Sequence, residues 1–173
     1  EDAKSNFEGT IIDLETIGNF QNTYFDSRRY ANIKITTFGF ITKDWLKIHY
    51  TPNPEGMGDL NKEILSTIIS LPKPFFAFNA EFEMSVLFHN LGKKIGFKEL
   101  NRFTFEKKKS VVEHLGIQNY DDPFDDDGKQ CITTWENGDV HKVVAHNRAD
   151  LLKQKDILLK RGFREPDKIK FKE

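Results

Sequence analysis

Apolar and polar positions follow two different periods along this chain, and the switches between them mark out its elements. Thr10 to Leu14 is a short apolar run ending in acidic positions, which predicts a buried strand that delivers side chains to the end of a sheet. Ile33 to Thr42 alternates in places and is rich in β-branched and aromatic residues. Trp45 to Thr51 follows after a Thr-Lys-Asp turn, and the three runs together predict an antiparallel meander. Asn19 to Tyr30 has no clear period and reads as a loop or a bent continuation of the strand. The stretch Thr51-Pro-Asn-Pro-Glu-Gly-Met-Gly is loop punctuation. A helix should follow it, with Asp59 as N-cap, Leu60, Ile64, Leu65 and Ile68 at helical spacing, and Pro72 at the exit.

Pro74 to Asn79 predicts a fourth strand, and Glu81 to Leu91 a helix closed by Gly92. Phe105 to Leu115 reads as a helix ended by Gly116, and an acidic loop runs from Asp121 to Gly128. The clearest element is the last helix, about Asp139 to Lys160, where Val140, Val143, Val144, Leu151 and Leu158 share one face and Gly162 supplies a C-terminal stop. Strands first, then helix, strand and several helices predict an α/β or α+β domain with a mixed sheet.

Composition sharpens this picture only in places. A chain of 173 residues fits one domain, expected to span residues 1–173 with 1–8 and 166–173 frayed. Hydrophobic residues make up 38%, and sixteen Phe supply bulk for a packed interior, which excludes disorder of the whole chain. Lys and Arg number 26 against 27 Asp and Glu, so no global positive field marks a nucleic-acid binder. An enzyme gripping one strand end through metal ions needs only a local basic lining. The single Cys131 cannot form an internal disulfide or a Cys-rich zinc site. No apolar run approaches the roughly 20 residues of a membrane span, and residues 1–6 lack the start of a secretory signal. A soluble, cytoplasmic protein is expected.

Three acidic signals stand out. Ile11-Ile12-Asp13-Leu14-Glu15-Thr16 places two carboxylates two residues apart at a strand end, where period-2 geometry points both to one face. Like charges held so close raise each other's pKa unless a cation neutralises them, and an all-oxygen site suits Mg²⁺ or Mn²⁺. In Phe75-Phe76-Ala77-Phe78-Asn79-Ala80-Glu81-Phe82-Glu83 a buried strand breaks at Asn79, and Glu83 falls in the first turn of the next helix. His146-Asn-Arg-Ala-Asp150 lies inside the last helix, with imidazole and carboxylate four residues apart on one face, about 100° from the centre of the apolar stripe. Taken singly, each has an ordinary explanation: a solvated strand end, an acid complementing a helix dipole, a surface His–Asp pair.

Their order carries more than any one of them. Together they resemble the DnaQ-like, or DEDD, 3′–5′ exonucleases of RNase H-like fold. That family pairs Asp-x-Glu on the first strand with an Asn and an acid after the fourth, and a His or Tyr shortly before an Asp on a C-terminal helix. The stretch from Asp122-Pro-Phe-Asp to Trp135-Glu-Asn-Gly-Asp139, with His146 to Leu152, is also similar to the YprB-like branch of predicted exonucleases. Two positions depart from the family pattern: Glu83 stands where Asp is usual, and His146 precedes Asp150 by four residues rather than five.

The resemblance implies a central mixed sheet of about five strands flanked by helices. It also implies hydrolysis of DNA or RNA phosphodiester bonds from a free 3′ end, single-stranded rather than duplex, by two divalent ions, Mg²⁺ or Mn²⁺. Asp13, Glu15, Glu83 and Asp150 would be the metal ligands and His146 the general base. The backbone at Leu14, the hydroxyl of Thr16 and Asn79 would meet the substrate, and Phe78 and Phe82 could stack on bases. The two departures keep open an alternative, a catalytically silent RNase H-like domain that binds nucleic acid or a protein partner, in a chain that could carry further domains.

Other motifs carry less. Aligning Gly128 with the sixth position of a calcium loop puts Pro123 and Thr134 where ligands are required, so the acidic loop reads as an exposed turn. His49, His89, His114 and His141 show no zinc spacing. Lys107-Lys108-Lys109 could touch phosphates but reads as a solvated helix face.

Overall fold

The computed structural model describes residues 1–2 and 6–173. Five strands form one mixed sheet: β1 (Thr10–Ile17), β2 (Lys34–Ile41), β3 (Leu46–Tyr50), β4 (Phe75–Ala77) and β5 (Lys98–Glu99). Their order is β3-β2-β1-β4-β5, with β1 antiparallel to β2, β2 antiparallel to β3, and β1–β4 and β4–β5 parallel. The chain therefore has the α/β, RNase H-like architecture expected of it, with β1 in the middle. Its unbroken apolar run is what a strand covered on both faces requires.

Five α-helices flank the sheet: α1 (Met57–Ser70), α2 (Ala80–Leu91), α3 (Lys108–His114), α4 (Gln130–Glu136) and α5 (Val140–Arg161). Leu60, Ile64 and Ile68 of α1 and Met84 and Leu87 of α2 pack with Ile12 and Leu14 on one face. Leu151, Ile157 and Leu158 of α5 and Val111 and Val112 of α3 pack with Ile11 and Ile41 on the other. Alternation along β1 thus sends Leu14 into the α1/α2 core and turns Asp13 and Glu15 toward α5. A small third cluster, Phe124, Cys131, Trp135, Val140 and Val143, seats α4 on α5. Among the described residues, no helix is long and apolar enough to cross a membrane.

Several local expectations are corrected. Asp59 is not the N-cap of α1 but lies in its first turn. A 3₁₀ turn, Pro54–Gly56, leads in and is itself capped by Asn53, whose Oδ1 accepts from Gly56 N at 3.1 Å. The helix expected from Phe105 begins only at Lys108, because Phe105 takes φ +68°, a left-handed conformation that breaks a right-handed helix. Neither β5 nor α4 was anticipated. The C-terminal end expected to fray is tied down: Ser27 N donates to Lys170 O at 2.9 Å, Lys172 N donates to Ser27 Oγ at 2.7 Å, and Phe171 packs on Phe88. At the other end, residues 3–5 of the stretch expected to fray lie outside the described residues.

Candidate active site

The site forms where α5 crosses β1 and β2, and a glycine makes the crossing close. Gly39 sits opposite Asp13 in the β1–β2 register. A Cβ at Gly39 would lie 1.9 Å from Asn147 Oδ1 and 2.8 Å from Leu151 Cδ1, so only glycine lets this turn of α5 down onto the sheet. Asn147 Nδ2 then donates to Asp13 Oδ2 at 2.8 Å and to the Asp13 carbonyl at 3.1 Å. Gln154 Nε2 donates to Asp13 Oδ1 at 2.6 Å. Both oxygens of the Asp13 carboxylate are held by amides from one helix.

Asp150 and His146 come down on the same face, buried rather than bordering the core as the helical wheel implied; His146 is only 1% exposed. One ligand oxygen each from Asp13, Glu15 and Asp150 lie within 4.8 Å of one another. His146 Nε2 stands 3.5 Å from Asp150 Oδ2 and 4.0 Å from Glu15 Oε1. Its Nδ1 meets Asp122 Oδ1 at 2.7 Å. Asp122 also accepts from Lys153 Nζ at 2.7 Å and from the amides of Phe124 and Asp126. Burial would raise the Asp122 carboxyl, but His146 and Lys153 outweigh it and hold its pKa far below the ordinary value. An ionised Asp122 can only accept, so Nδ1 carries the proton and Nε2 faces the carboxylates.

The electrostatics are those of acids crowded out of water. Burial, opposed by Lys108 and reinforced by Asp150, pushes Asp13 up to about 6. Burial and the Asp13 charge push Glu15 to about 8. Glu83, in the first turn of α2, is raised well above its ordinary value by burial and then by Asp13. It is therefore a fourth buried carboxyl close enough to feel Asp13, although it is not part of the 4.8 Å triad. His146 runs the other way: burial disfavours its charge, but the Asp122 bond and Asp150 raise it to about 9.

An ammonium also reaches this centre, and it comes from the lysine run read as a solvated face. Lys108, at the start of α3, places Nζ in contact with Asp150 Oδ2. Burial works against its charge, yet Asp150 and Asp13 more than compensate and raise its pKa. Lys107 and Lys109 behave as expected, exposed at the surface.

Of the residues expected to meet substrate, Thr16 is half-buried at the end of β1 and Asn79 is exposed at the entrance to α2. Asn79 takes φ +71°, and the helix N-terminus behind it is capped by Glu99, which accepts from Asn79 N at 2.8 Å and Ala80 N at 2.7 Å. Leu14 can offer only its backbone, because its side chain is core. Phe82 is partly buried in an edge-to-face group with Phe20 and Tyr30, and Phe78 packs against the α5-side core. The acidic loop is not an exposed turn throughout, since Asp122 is buried and Lys153, itself fully buried, bonds Asp122 and Asp126.

Asn147, Gln154 and Gly39 were not singled out from sequence, Lys108 was read only as part of a solvated lysine run, and Asp122 only as part of the acidic loop and its family-like stretch. A signal did exist for the two on α5, Asn147 and Gln154. His146, Asn147, Asp150, Lys153 and Gln154 fall at helical spacing among Val143, Leu151, Ile157 and Leu158, so they continue the buried face as a polar stripe. Neither a family model nor a curated protein matches this chain.

Proposed function

We propose that this protein is a metal-dependent 3′–5′ exonuclease that hydrolyses phosphodiester bonds of single-stranded DNA or RNA, a member of the DEDD superfamily its motifs resemble. The observation that carries the reading is the convergence of Asp13, Glu15 and Asp150, from opposite ends of the chain, on one buried point beside His146. Such crowding is unfavourable without a divalent cation: three of the four acids are driven toward the neutral form. Two buried carboxylate oxygens, Asp150 Oδ1 and Glu83 Oε2, have no hydrogen-bond partner, and an all-oxygen set fits Mg²⁺ or Mn²⁺. Asp13, Glu15, Glu83 and Asp150 would hold the metal. Divalent ions bound there would acidify an attacking water and offset charge on the leaving 3′ oxygen.

The chain's own groups do the rest. Asp122 fixes the His146 ring so that Nε2 faces the reacting centre. Asp122 keeps its hold on the ring, while metal on Asp150 and Glu15 would remove their share of the charge that favours the protonated imidazole and so ease acceptance of a proton at Nε2. Thr16, the Leu14 backbone and Asn79 would meet the substrate, as the family resemblance implies.

A single strand is favoured by the loop that leaves β1. Phe20 is 47% exposed beneath the Arg29 guanidinium, Arg28 lies over the Tyr24 ring, and Phe25 is 99% exposed. Aromatic faces interleaved with arginine suit unpaired bases.

Lys108 favours a second reading, the catalytically silent domain, because an internal ammonium relieves the same crowding without any metal. The two are separated by incubating wild type and Asp150→Asn with end-labelled single-stranded DNA and RNA in Mn²⁺ or EDTA. Mn²⁺-dependent loss of nucleotides from the 3′ end by wild type alone is the expected result. Binding of oligonucleotide without hydrolysis, equal in both proteins, would establish the silent domain instead.

A further inference from the structure

Lys108 is the one charged group at the centre that the chemistry above leaves without a role. Its side chain is 19% exposed, against 5% for the Asp150 carboxylate it touches. A lysine on the first turn of a surface helix can reach water at little cost, as Lys107 and Lys109 do. Lys108 turns inward, and its ammonium contacts Asp150 Oδ2, the carboxylate that lies with Asp13 and Glu15 in the acidic cluster.

We propose that Lys108 is a built-in cation that stands in for one of the two divalent ions, so that each chain takes up a single Mg²⁺ or Mn²⁺. The inference rests on the metal-dependent reading above and changes its stoichiometry. The supply of free acceptors supports it. Lys108 occupies Asp150 Oδ2, and Asn147 and Gln154 hold both oxygens of Asp13, the ligand that would otherwise be shared between two ions. The buried carboxylate oxygens left without a partner are Asp150 Oδ1 and Glu83 Oε2.

The ammonium is also suited to the task of the missing ion. It is a compact charge with three donors. While keeping Asp150 it can donate to a non-bridging oxygen of the scissile phosphate and offset the charge that builds there.

The test counts ions. Metal-stripped wild type, Lys108→Met and Lys108→Arg would each be titrated with Mn²⁺ by calorimetry, with a nucleoside 5′-monophosphate present to complete any two-ion centre and a protein-free blank subtracted. Circular dichroism would confirm the fold of the variants. One ion is expected in wild type and Lys108→Arg, and two in Lys108→Met, where the charge is gone but the stem remains. Two ions in wild type would overturn the inference whether or not the Met variant folds, and would leave the nuclease reading standing. One ion in a folded Lys108→Met would overturn it as well. No ion in wild type would remove the metal-dependent reading and this inference with it.

Discussion

Glu15→Gln should make the metal-free protein more stable, and the gain should grow with pH. The wild-type residue is 7% exposed, and burial and Asp13 hold its folded-state pKa at about 8, against 4.5 for the free group. The folded state thus keeps a proton that the unfolded chain releases. A raised folded pKa gives a contribution present at low pH and lost as pH rises from the unfolded value through the folded one. For Glu15 that window runs from 4.5 to about 8. At about 1.4 kcal/mol per pH unit, the unfolded chain gains about 3 kcal/mol near pH 7 that the folded chain does not. Because Asp13 shares the conflict, about 1–3 kcal/mol should be recovered by the uncharged isostere near pH 7.5, and under about 1 kcal/mol near pH 5. The Gln amide keeps an oxygen for Asn147 Nδ2, now 3.4 Å from Glu15 Oε1, so packing changes little. Urea denaturation in EDTA at the two pH values reads the difference directly. Added Mn²⁺ should reverse the ranking, because wild type gains more from the ion than a variant missing a ligand. A Glu15→Gln midpoint equal to or below wild type near pH 7.5, or a difference that ignores pH, would refute the reasoning.

Three further outcomes follow from the same geometry. Asp122→Ala strips His146 Nδ1 and the fully buried Lys153 of a charged acceptor. Breaking a buried pair from one side should cost about 3–5 kcal/mol in urea denaturation, and a loss below about 1 kcal/mol would contradict the role given to it. Gly39→Ala should cost about 1–3 kcal/mol by lifting α5 and should weaken Mn²⁺ binding in a calorimetric titration. Gly58→Ala, where a Cβ would meet nothing within 4 Å, should be neutral or slightly stabilising. His146→Ala should lower the single-turnover rate on a labelled oligonucleotide by about 10² to 10⁴, less than Asp13→Ala, which would remove a proposed metal ligand; the opposite order would reassign the two roles.

The parts of the fold legible in the sequence are those whose pattern is their own. β1, β2 and β3 show in runs of apolar and β-branched residues, and α1, α2 and α5 in helical repeats closed by Leu71-Pro72, Gly92 and Gly162. β5 has no pattern to read. Its two residues, Lys98 and Glu99, become a strand only because they pair with Phe76 and Ala77. In α4, Cys131 and Trp135 stand one turn apart, a real but thin signal inside a polar stretch. Phe105 misled because its apolar character matched the helix that follows, while it is in fact 89% exposed and left-handed.

The candidate site divides along the same physical line. Asp13 with Glu15 and His146 with Asp150 are visible because each pair sits within one element, where a spacing of two or four fixes a shared face. Asp122 and Lys108 reach the centre from irregular or short segments whose path depends on tertiary contacts. No period in their own sequence could disclose that path. The polar stripe on α5 was the available clue. A helix that buries Asn147, Asp150, Lys153 and Gln154 along with its valines and leucines must supply each with a partner. Those partners have to come from elsewhere in the chain: Asp13 for the amides, Asp122 and Asp126 for Lys153, and Lys108 for Asp150. The requirement that buried charge be answered thus accounts for both acids of the loop and for the inward lysine. It leaves Asp150 Oδ1 and Glu83 Oε2 as the carboxylate oxygens still unanswered, which is where a divalent ion would find its ligands.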